Sequence, residues 1–268
     1  MCLIAFGWKV LTDTPLVLAA NRDEFYRRPT AAAGFWQEHP AMLAGRDLEA
    51  GGTWMGVTRS GRFAAVTNFR DPAQTARAAR SRGELAVNFL TGETTPEDYL
   101  RPLAAAGDDY AGFNLLVGTV EELWYYSNRL GDEPARPLPP GIYGLSNERL
   151  DTPWPKLLRA RSRLAALIDA GTLDHDALQA AVADRSLAPE HALHPSEHGA
   201  RMDRRLSAQF IVTPDYGTRA TTTLSMQRAG NGAETTIAWR ETRFDHSGQP
   251  AGRTDYRFRA ALSPGGRG

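Results

Sequence analysis

The residue with the most distinctive chemistry is Cys2, the only cysteine among the 268 residues of the chain. A small side chain at position two permits removal of Met1, after which Cys2 would carry a free α-amine beside its thiol. Because an α-amine titrates near ~7.7–8.0 and a thiol near ~8.5, the two can exchange a proton at neutral pH. This is the basis of N-terminal nucleophile chemistry. The alternative is that Cys2 is a small buried hydrophobic residue, as a lone cysteine in an apolar strand usually is.

Four polar residues, Asn21-Arg22-Asp23-Glu24, directly follow an apolar segment at 16–20. Residues 2–8 and 16–20 have strand composition and are joined by turn residues at 12–15, so we expect a hairpin. Because adjacent strand residues point to opposite faces, two of the four polar side chains should share the face of Cys2. The alternative is a solvated strand end with a surface ion pair worth about 0–1 kcal/mol.

Two later strands also end in asparagine, and another begins next to an arginine. Asn68 follows residues 63–67, and Asn147 ends the segment 142–147. Such a residue can be a simple turn former, or its amide can donate to a developing oxyanion, where one donor contributes about 2.7–4 kcal/mol. Arg219 is either an edge-strand cation or an inward charge that holds a thiolate or a substrate carboxylate.

The composition excludes several classes of function. Lys plus Arg and Asp plus Glu both count 31, so the chain lacks the basic surplus of a nucleic-acid-binding protein. The apolar opening is too short for a membrane span and has no basic segment before it, so we expect a cytoplasmic, soluble protein. One cysteine allows no intramolecular disulfide. His191, His194 and His198 lie in a proline-interrupted stretch that we interpret as a solvated loop and not a zinc site, and we expect no metal and no cofactor.

Strands come early and late in the sequence, with helices between them. This order favours a layered α+β fold over a βαβ alternation. We expect a single domain over residues 1–262 and a disordered Gly- and Pro-rich tail over 263–268. The predicted helices are 80–90, 95–106, 156–170 and 174–183, and the predicted strands of the C-terminal third are 207–213, 220–227 and 235–243.

Six motifs, in order along residues 1–219, resemble the NRDE family, also known as the transport and Golgi organisation (TANGO2) family. They are Met1-Cys2-Leu3-Ile4, Ala20-Asn21-Arg22-Asp23-Glu24-Phe25, Gly52-Thr53-Trp54-Met55-Gly56, Val66-Thr67-Asn68-Phe69-Arg70, the segment Gly144-Leu145-Ser146-Asn147 with 150–156, and Tyr216-Gly217-Thr218-Arg219.

The resemblance implies a branch of the N-terminal nucleophile hydrolases, whose fold is a four-layer αββα sandwich. By similarity, Cys2 would be the nucleophile with Arg22 and Asp23 beside it. Asn68 and Asn147 would supply the amides that hold the oxyanion and position the amine. Asn21, Glu24, Trp54 and Arg219 would contact the substrate. Which of residues 21–24 face the thiol is left open.

Two functions of different classes follow. The first is an amidohydrolase that cleaves a non-peptide C–N bond of a small, partly apolar substrate. Five aromatic residues are candidates for the lining of its cleft, although aromatic side chains more often belong to the core: Trp8, Phe25, Phe35, Trp36 and Trp54. The second is a non-catalytic carrier, because the resemblance connects the family to haem trafficking and to lipid or acyl-CoA metabolism. In a haem carrier, Cys2 or a histidine would be the axial ligand.

Overall fold

A computed structural model describes residues 2–70, 78–131, 133–193, 204–229 and 234–261. The tail 263–268, as well as His194 and His198, lies outside these ranges. The strands are β1 Cys2–Leu11, β2 Thr14–Phe25, β3 Thr30–Phe35, β4 Met42–Asp47, β5 Met55–Thr58, β6 Phe63–Asn68, β7 Phe113–Gly118, β8 Leu123–Ser127, β9 Arg136–Pro137, β10 Gly141–Leu145, β11 Tyr216–Arg228, β12 Thr235–Phe244 and β13 Pro250–Ala260. The α-helices are α1 Gly83–Thr91, α2 Pro96–Leu100, α3 Leu103–Ala106, α4 Pro155–Asp169 and α5 His175–Ala181.

The strands form two antiparallel sheets. The first has the order β10-β1-β2-β11-β12-β13 and the second the order β3-β4-β5-β6-β7-β8-β9. The second sheet follows the order of the chain, whereas the first brings the N-terminal hairpin between β10 and β11. The end of β1 that carries Cys2 therefore lies inside a sheet, between two neighbouring strands.

Three apolar layers hold the fold together. The largest lies between the sheets and contains Phe6, Trp8 and Leu18 from the first sheet and Val57 and Leu116 from the second. A further cluster joins α1 to the outer face of the second sheet, and another joins α4 and α5 to the outer face of the first. The layers are thus helix, sheet, sheet and helix, which confirms the predicted αββα sandwich.

The residue pattern of β1 shows how the sequence produces these layers. Ile4 and Phe6 face the other sheet, while Leu3 and Ala5 belong to the cluster beneath α4, as the two-residue period of a strand requires. Both faces of β1 are therefore covered, which is why residues 2–8 are a continuous apolar run without polar alternation.

Several helix boundaries follow from local chemistry. The helix predicted over 95–106 is divided, because Pro102 cannot continue α2 and becomes the residue that precedes α3. Thr95 caps α2 by accepting a hydrogen bond from Asp98 N, and Asp174 caps α5 by accepting from Asp176 N and Ala177 N. Pro155 occupies the first turn of α4, where its missing N–H is not needed.

The strand predicted over 207–213 is wrong. The segment contains only an isolated bridge between Val212 and Gly217, and its backbone bonds to other loops, with Gln209 N and Phe210 N both donating to Asp184 O. Strands β3, β4 and β13 were not anticipated. Strands β3 and β4 have no clear alternation of apolar and polar residues, so periodicity does not reveal them. Strand β13 does alternate, with Thr254, Tyr256 and Phe258 half-buried between exposed charged residues, so its period-2 pattern was a signal for a strand.

None of the helices within the described ranges has the length and hydropathy that are needed to cross a lipid bilayer.

The glycine pair at 51–52 brings α1 against the second sheet. Thr53 N donates to Gly83 O at 3.2 Å, and a Cβ atom on Gly52 would lie only 2.6 Å from the backbone carbonyl carbon of Gly83. Both partners are backbone, so the contact cannot be relieved by a side-chain rotation. Gly52 therefore sets how closely the N-terminus of α1 approaches the sheet.

We expect Gly52→Ala to lower the free energy of unfolding by about 1–3 kcal/mol, because the added methyl group overlaps fixed backbone. Urea denaturation measures the change. Gly34→Ala is the matched control, since the nearest atom to its new Cβ would be Tyr256 Oη at 3.6 Å, an ordinary contact. Equal stability of the two variants would contradict the prediction.

Candidate active site at the N-terminal cysteine

A cavity of about 300 Å³ lies at the end of β1, between the two sheets. Cys2 contributes to its wall from the first sheet together with β2, β11 and β12. The opposite wall comes from β3, β4, β6 and the N-terminus of α1. The volume is at the lower end of the range of small-molecule sites, about 300–1,000 Å³.

Cys2 lies at the start of β1, directly opposite Arg22 of β2. The residue is only 9% exposed. Burial raises the pKa of the Cys2 thiol above its ordinary value. The nearby charge of Arg22 and a hydrogen bond from the backbone of Asp23 act in the opposite direction. The thiol is thus predominantly protonated at neutral pH unless a base removes its proton.

The turn after β10 holds the backbone of Cys2. Cys2 N lies 3.4 Å from Asn147 Oδ1, and Ser146 Oγ donates to Cys2 O at 2.7 Å. The same turn reaches the second sheet, because Thr67 Oγ1 donates to Ser146 O at 2.6 Å and Asn147 Nδ2 donates to Asn68 O at 2.9 Å. Asn147 therefore connects the nitrogen of Cys2 to the strand that carries Asn68.

Asn68 ends β6 with an exposed residue at the cavity wall. The strand before it is buried, and Thr67 is fixed both by Ser146 O and by Asn114 Nδ2 at 3.1 Å. Asn68 therefore follows a strand end that these bonds fix, and it contributes to the wall of the cavity that Cys2 also lines.

Asp23 is buried and accepts a hydrogen bond from Thr218 Oγ1 at 2.7 Å. Burial raises the pKa of the Asp23 carboxyl, and the nearby charge of Lys156 opposes this increase. Thr218 is the register partner of Asp23 on β11, which explains their contact. The irregularity that follows leaves Arg219 outside the regular pairing, and β11 resumes its pairing with β2 at Ala220.

Lys156 is a buried cation that the sequence reasoning did not assign to the site. It lies in the first turn of α4, and Lys156 Nζ donates to Leu206 O at 3.2 Å. Burial lowers the pKa of Lys156 to about 8, against the raising effects of Asp23 and Cys2. The sequence did contain a signal for this residue. A lysine in the first turn of a helix lies at the positive end of the helix dipole, which is electrostatically unfavourable, so its presence there indicates a compensating environment.

Four of the remaining predicted site residues line the cavity: Arg22, Glu24, Trp54 and Arg219. Arg22 Nη2 lies 4.0 Å from Glu24 Oε2, and Glu24 Oε1 accepts a hydrogen bond from Phe25 N at 2.8 Å. Arg219 Nη1 lies within hydrogen-bond distance of three backbone oxygens, of which Phe25 O at 2.9 Å is the nearest. Arg219 thus also ties β11 to the chain after β2.

Asn21 does not reach the cavity. Its Nδ2 donates to Val182 O and Gln209 O, both at 2.8 Å, and its Oδ1 accepts from Thr221 Oγ1 at 2.7 Å. These partners lie on the outer face of the first sheet, next to α5. The expected substrate contact is therefore corrected to a structural role, because the period of β2 turns Asn21 away from the side chain of Arg22.

The expected apolar lining is also corrected. Of the five aromatic residues considered, only Trp54 contributes to the cavity wall. Trp8 is buried between the sheets and Trp36 packs against α1 and its sheet, while Phe25 is 44% exposed at the surface. The strand pattern buries aromatic side chains in the core, so their number in the sequence did not indicate a binding cleft.

The lining that the sequence did not reveal includes six charged residues. The additional groups are Arg28, Arg46, Asp47, Arg82, Glu241 and Arg243. They come from loops, strands and a helix start that are distant in sequence, and no local motif joins them. Across the described ranges, no group of three His, Cys, Asp or Glu side chains is arranged to hold a metal ion.

Comparison with known proteins identifies the family of the chain. The family described as "TANGO2: Transport and Golgi organisation 2" matches residues 1–238. The Transport and Golgi organization protein 2 homolog of Bos taurus is 38% identical over 251 residues, which cover 86% of this chain and 90% of that protein. The homolog of Homo sapiens is 36% identical with the same coverage.

The chain belongs to the Transport and Golgi organisation 2 family. This confirms the resemblance derived from its six motifs. Among solved structures, a Caenorhabditis elegans N-acylethanolamine-hydrolyzing acid amidase ortholog matches with a TM-score of 0.44 and 9% identity, covering 83% of this chain and 92% of the other. The Clostridium perfringens conjugated bile acid hydrolase C2A mutant matches with a TM-score of 0.43 and 9% identity, covering 98% of each chain.

Within this family member, Asn21 and Asn68 should respond differently to substitution. Asn21→Ala leaves the Thr221 hydroxyl and two buried carbonyl oxygens without their partner, so we expect the free energy of unfolding to fall by about 1–3 kcal/mol. Asn68→Ala, the matched control, removes an exposed amide and should change it by less than about 0.5 kcal/mol. Urea denaturation of both variants is the measurement, and similar losses would contradict the assignment.

Lys156 should produce a pH dependence of stability. The folded chain releases the Lys156 proton near pH 8, whereas the unfolded chain retains it up to the ordinary value of 10.5. The folded state binds fewer protons between these values, so Lys156 makes the free energy of unfolding rise from pH 8 towards 10. We expect Lys156→Met to reduce this slope. Lys9→Met, at the only other lysine of the chain, should preserve it. An unchanged slope in Lys156→Met would refute the assignment.

Proposed function

We propose that the protein is an N-terminal nucleophile amidohydrolase in which Cys2, freed of Met1, attacks a linear amide. The observation that carries this proposal is the position of the Cys2 nitrogen, 3.4 Å from Asn147 Oδ1 beside the cavity that Cys2 lines. After removal of Met1, this nitrogen is an α-amine on the same residue as the thiol. The carbonyl of the Asn147 side chain can then orient the amine by accepting one of its protons.

The proposed reaction begins with transfer of the thiol proton to the α-amine of Cys2. The Sγ thiolate forms a bond to the amide carbonyl carbon, whose π electrons move to oxygen. When the tetrahedral intermediate collapses, the C–N bond breaks and the leaving nitrogen takes the proton from the α-ammonium. Water then attacks the thioester, with the α-amine again as the base, and releases the carboxylic acid and the Cys2 thiol.

In the proposed reaction, three groups would stabilise negative charge. The backbone N–H of Asp23 donates towards Cys2 Sγ, which favours the thiolate. The side-chain amide of Asn68 lines the same cavity and would donate to the oxyanion. Removal of one such donor typically reduces kcat by about 10²–10³. Arg22, opposite Cys2 in the register, adds a positive charge beside the thiolate.

The carrier hypothesis has less support from the cavity. Among the described residues, none that lines it is a histidine, so haem iron would have Cys2 as its only protein ligand there. His175 lies at a separate place, with its Nδ1 2.7 Å from Thr223 Oγ1. The polar lining also differs from the apolar wall that an acyl chain requires.

The proposal is tested with fluorogenic linear amides of varied acyl group and with protein whose Met1 has been removed, as verified by intact mass. We expect turnover, together with a thioester adduct on Cys2 that is visible by mass spectrometry during the reaction. Cys2→Ala should abolish both signals, and Asn68→Ala should reduce kcat by about 10²–10³ without affecting stability.

The matched control is a chain with one alanine inserted before Cys2, which retains the thiol but moves the α-amine to another residue. Its turnover should fall by about 10²–10⁴, the contribution of a positioned general base. Equal activity of the inserted and native chains would exclude the N-terminal amine as the base. Retention of Met1 in protein from its natural source would argue against the whole mechanism.

A further inference from the structure

Six of the side chains that line the cavity are arginines and four are carboxylates. The arginines are Arg22, Arg28, Arg46, Arg82, Arg219 and Arg243, and the carboxylates are Asp23, Glu24, Asp47 and Glu241. The lining thus has a formal surplus of two positive charges. Burial raises the pKa of both Asp23 and Glu241, which favours their neutral forms and increases the surplus.

Three of these six arginines bind other groups of the protein. Arg28 Nη2 lies 2.8 Å from Asp47 Oδ2, and Arg46 Nη1 lies 2.6 Å from Glu38 Oε1. The Arg219 guanidinium bonds to backbone carbonyl oxygens. These three groups maintain the loops of the cavity wall and have few donors left for a ligand.

The other three, Arg22, Arg82 and Arg243, have guanidinium donors that the described residues do not satisfy. The Arg22 side chain is 13% exposed, and its nearest carboxylate oxygen is 4.0 Å away, beyond hydrogen-bond distance. Arg243 Nε is buried and has no hydrogen-bond acceptor among the described residues. Arg82 has one hydrogen bond, from Nη1 to Gly112 O at 3.1 Å.

The backbone adds to this positive potential. Arg82 and Gly83 mark the start of α1, and both line the cavity. The N-terminus of a helix carries a partial positive charge and free N–H groups, so it favours anions. The contact of Gly52 with Gly83 described above holds this helix end against the site.

A buried guanidinium without an acceptor is costly, and an anion that accepts from it offsets the cost. We propose that the substrate of the Cys2 site carries an anionic group, a carboxylate or a phosphate, that binds the guanidinium groups of Arg22, Arg82 and Arg243. The inference rests on the proposed function for the identity of the site, and it replaces the partly apolar substrate expected from the sequence with an anionic one.

The single cysteine permits a direct test on the resting protein, without turnover. Cys2 is alkylated in parallel by iodoacetate, which is anionic, and by iodoacetamide, which is its neutral counterpart. The thiol pKa affects both rates equally and cancels in their ratio. Division by the same ratio for N-acetylcysteine then removes the intrinsic difference in reactivity between the two reagents. We expect this normalised ratio to be at least about tenfold above one, because a cleft lined by one sign of charge concentrates the opposite charge about 10–10³-fold.

Arg22→Gln and Arg243→Gln should each bring the ratio closer to one. Arg259→Gln is the matched control, because Arg259 is an exposed arginine paired with Glu234 at 3.2 Å on an outer strand, and it should not change the ratio. Near-UV circular dichroism checks folding, and either cavity variant suffices if the other does not fold. A native ratio at or below one, or a ratio that neither cavity variant changes, would overturn the proposal.

Competition distinguishes the two kinds of anion. Inorganic phosphate that slows iodoacetate alkylation at lower concentration than acetate indicates a phosphate-bearing substrate, and the reverse order indicates a carboxylate. Protection by neither anion counts against the proposal. Because the alkylation needs no α-amine, a positive result together with inactive amide assays would retain the anion site and refute the amidohydrolase.

Discussion

The interaction on which the rest of the site depends is the hydrogen bonding of the turn at Ser146 and Asn147. This turn accepts and donates bonds to both sheets at once, reaching the backbone of Cys2 on one side and the Thr67 hydroxyl and the Asn68 carbonyl oxygen on the other. A sandwich of two sheets is otherwise held by non-directional apolar packing. Directional bonds at this end fix the distance between the cysteine and the asparagine across the cavity.

Burial determines the protonation of this site. The same removal from water raises the pKa of the Cys2 thiol and of the Asp23 carboxyl and lowers that of Lys156. Each of these pKa shifts disfavours the charged form of the group in the resting protein. A thiol in this environment is predominantly protonated until a base is close to it, so Cys2 carries no permanent charge although it lines the cavity.

The close backbone contact at Gly52 and the charge of Arg82 occur together at the start of α1, next to the second sheet. Gly52 allows the start of α1 to approach, and that start carries Arg82 into the cavity. The cavity is therefore lined largely by the polar ends of strands and one helix, while aromatic residues such as Trp8 and Trp36 fill the layers between and outside the sheets. Packing and binding use different residue types because the strand period separates them onto different faces.

The sequence by itself determined the N-terminal hairpin, the layered fold, the family and seven of the residues that line the cavity. These features depend on neighbours in the chain: strand alternation, turn residues and motifs of consecutive residues. The sequence did not determine the different positions of the three asparagines that were predicted to belong to the site, because each of them follows an apolar strand in the same way. Asn21 bonds beneath α5, Asn68 faces the cavity and Asn147 holds the Cys2 nitrogen. Nor did the sequence predict that Arg82, Lys156, Glu241 and Arg243 lie at or beside the site. Only the tertiary structure decided these positions, because strand pairing and the approach of the two sheets juxtapose residues that no local periodicity connects.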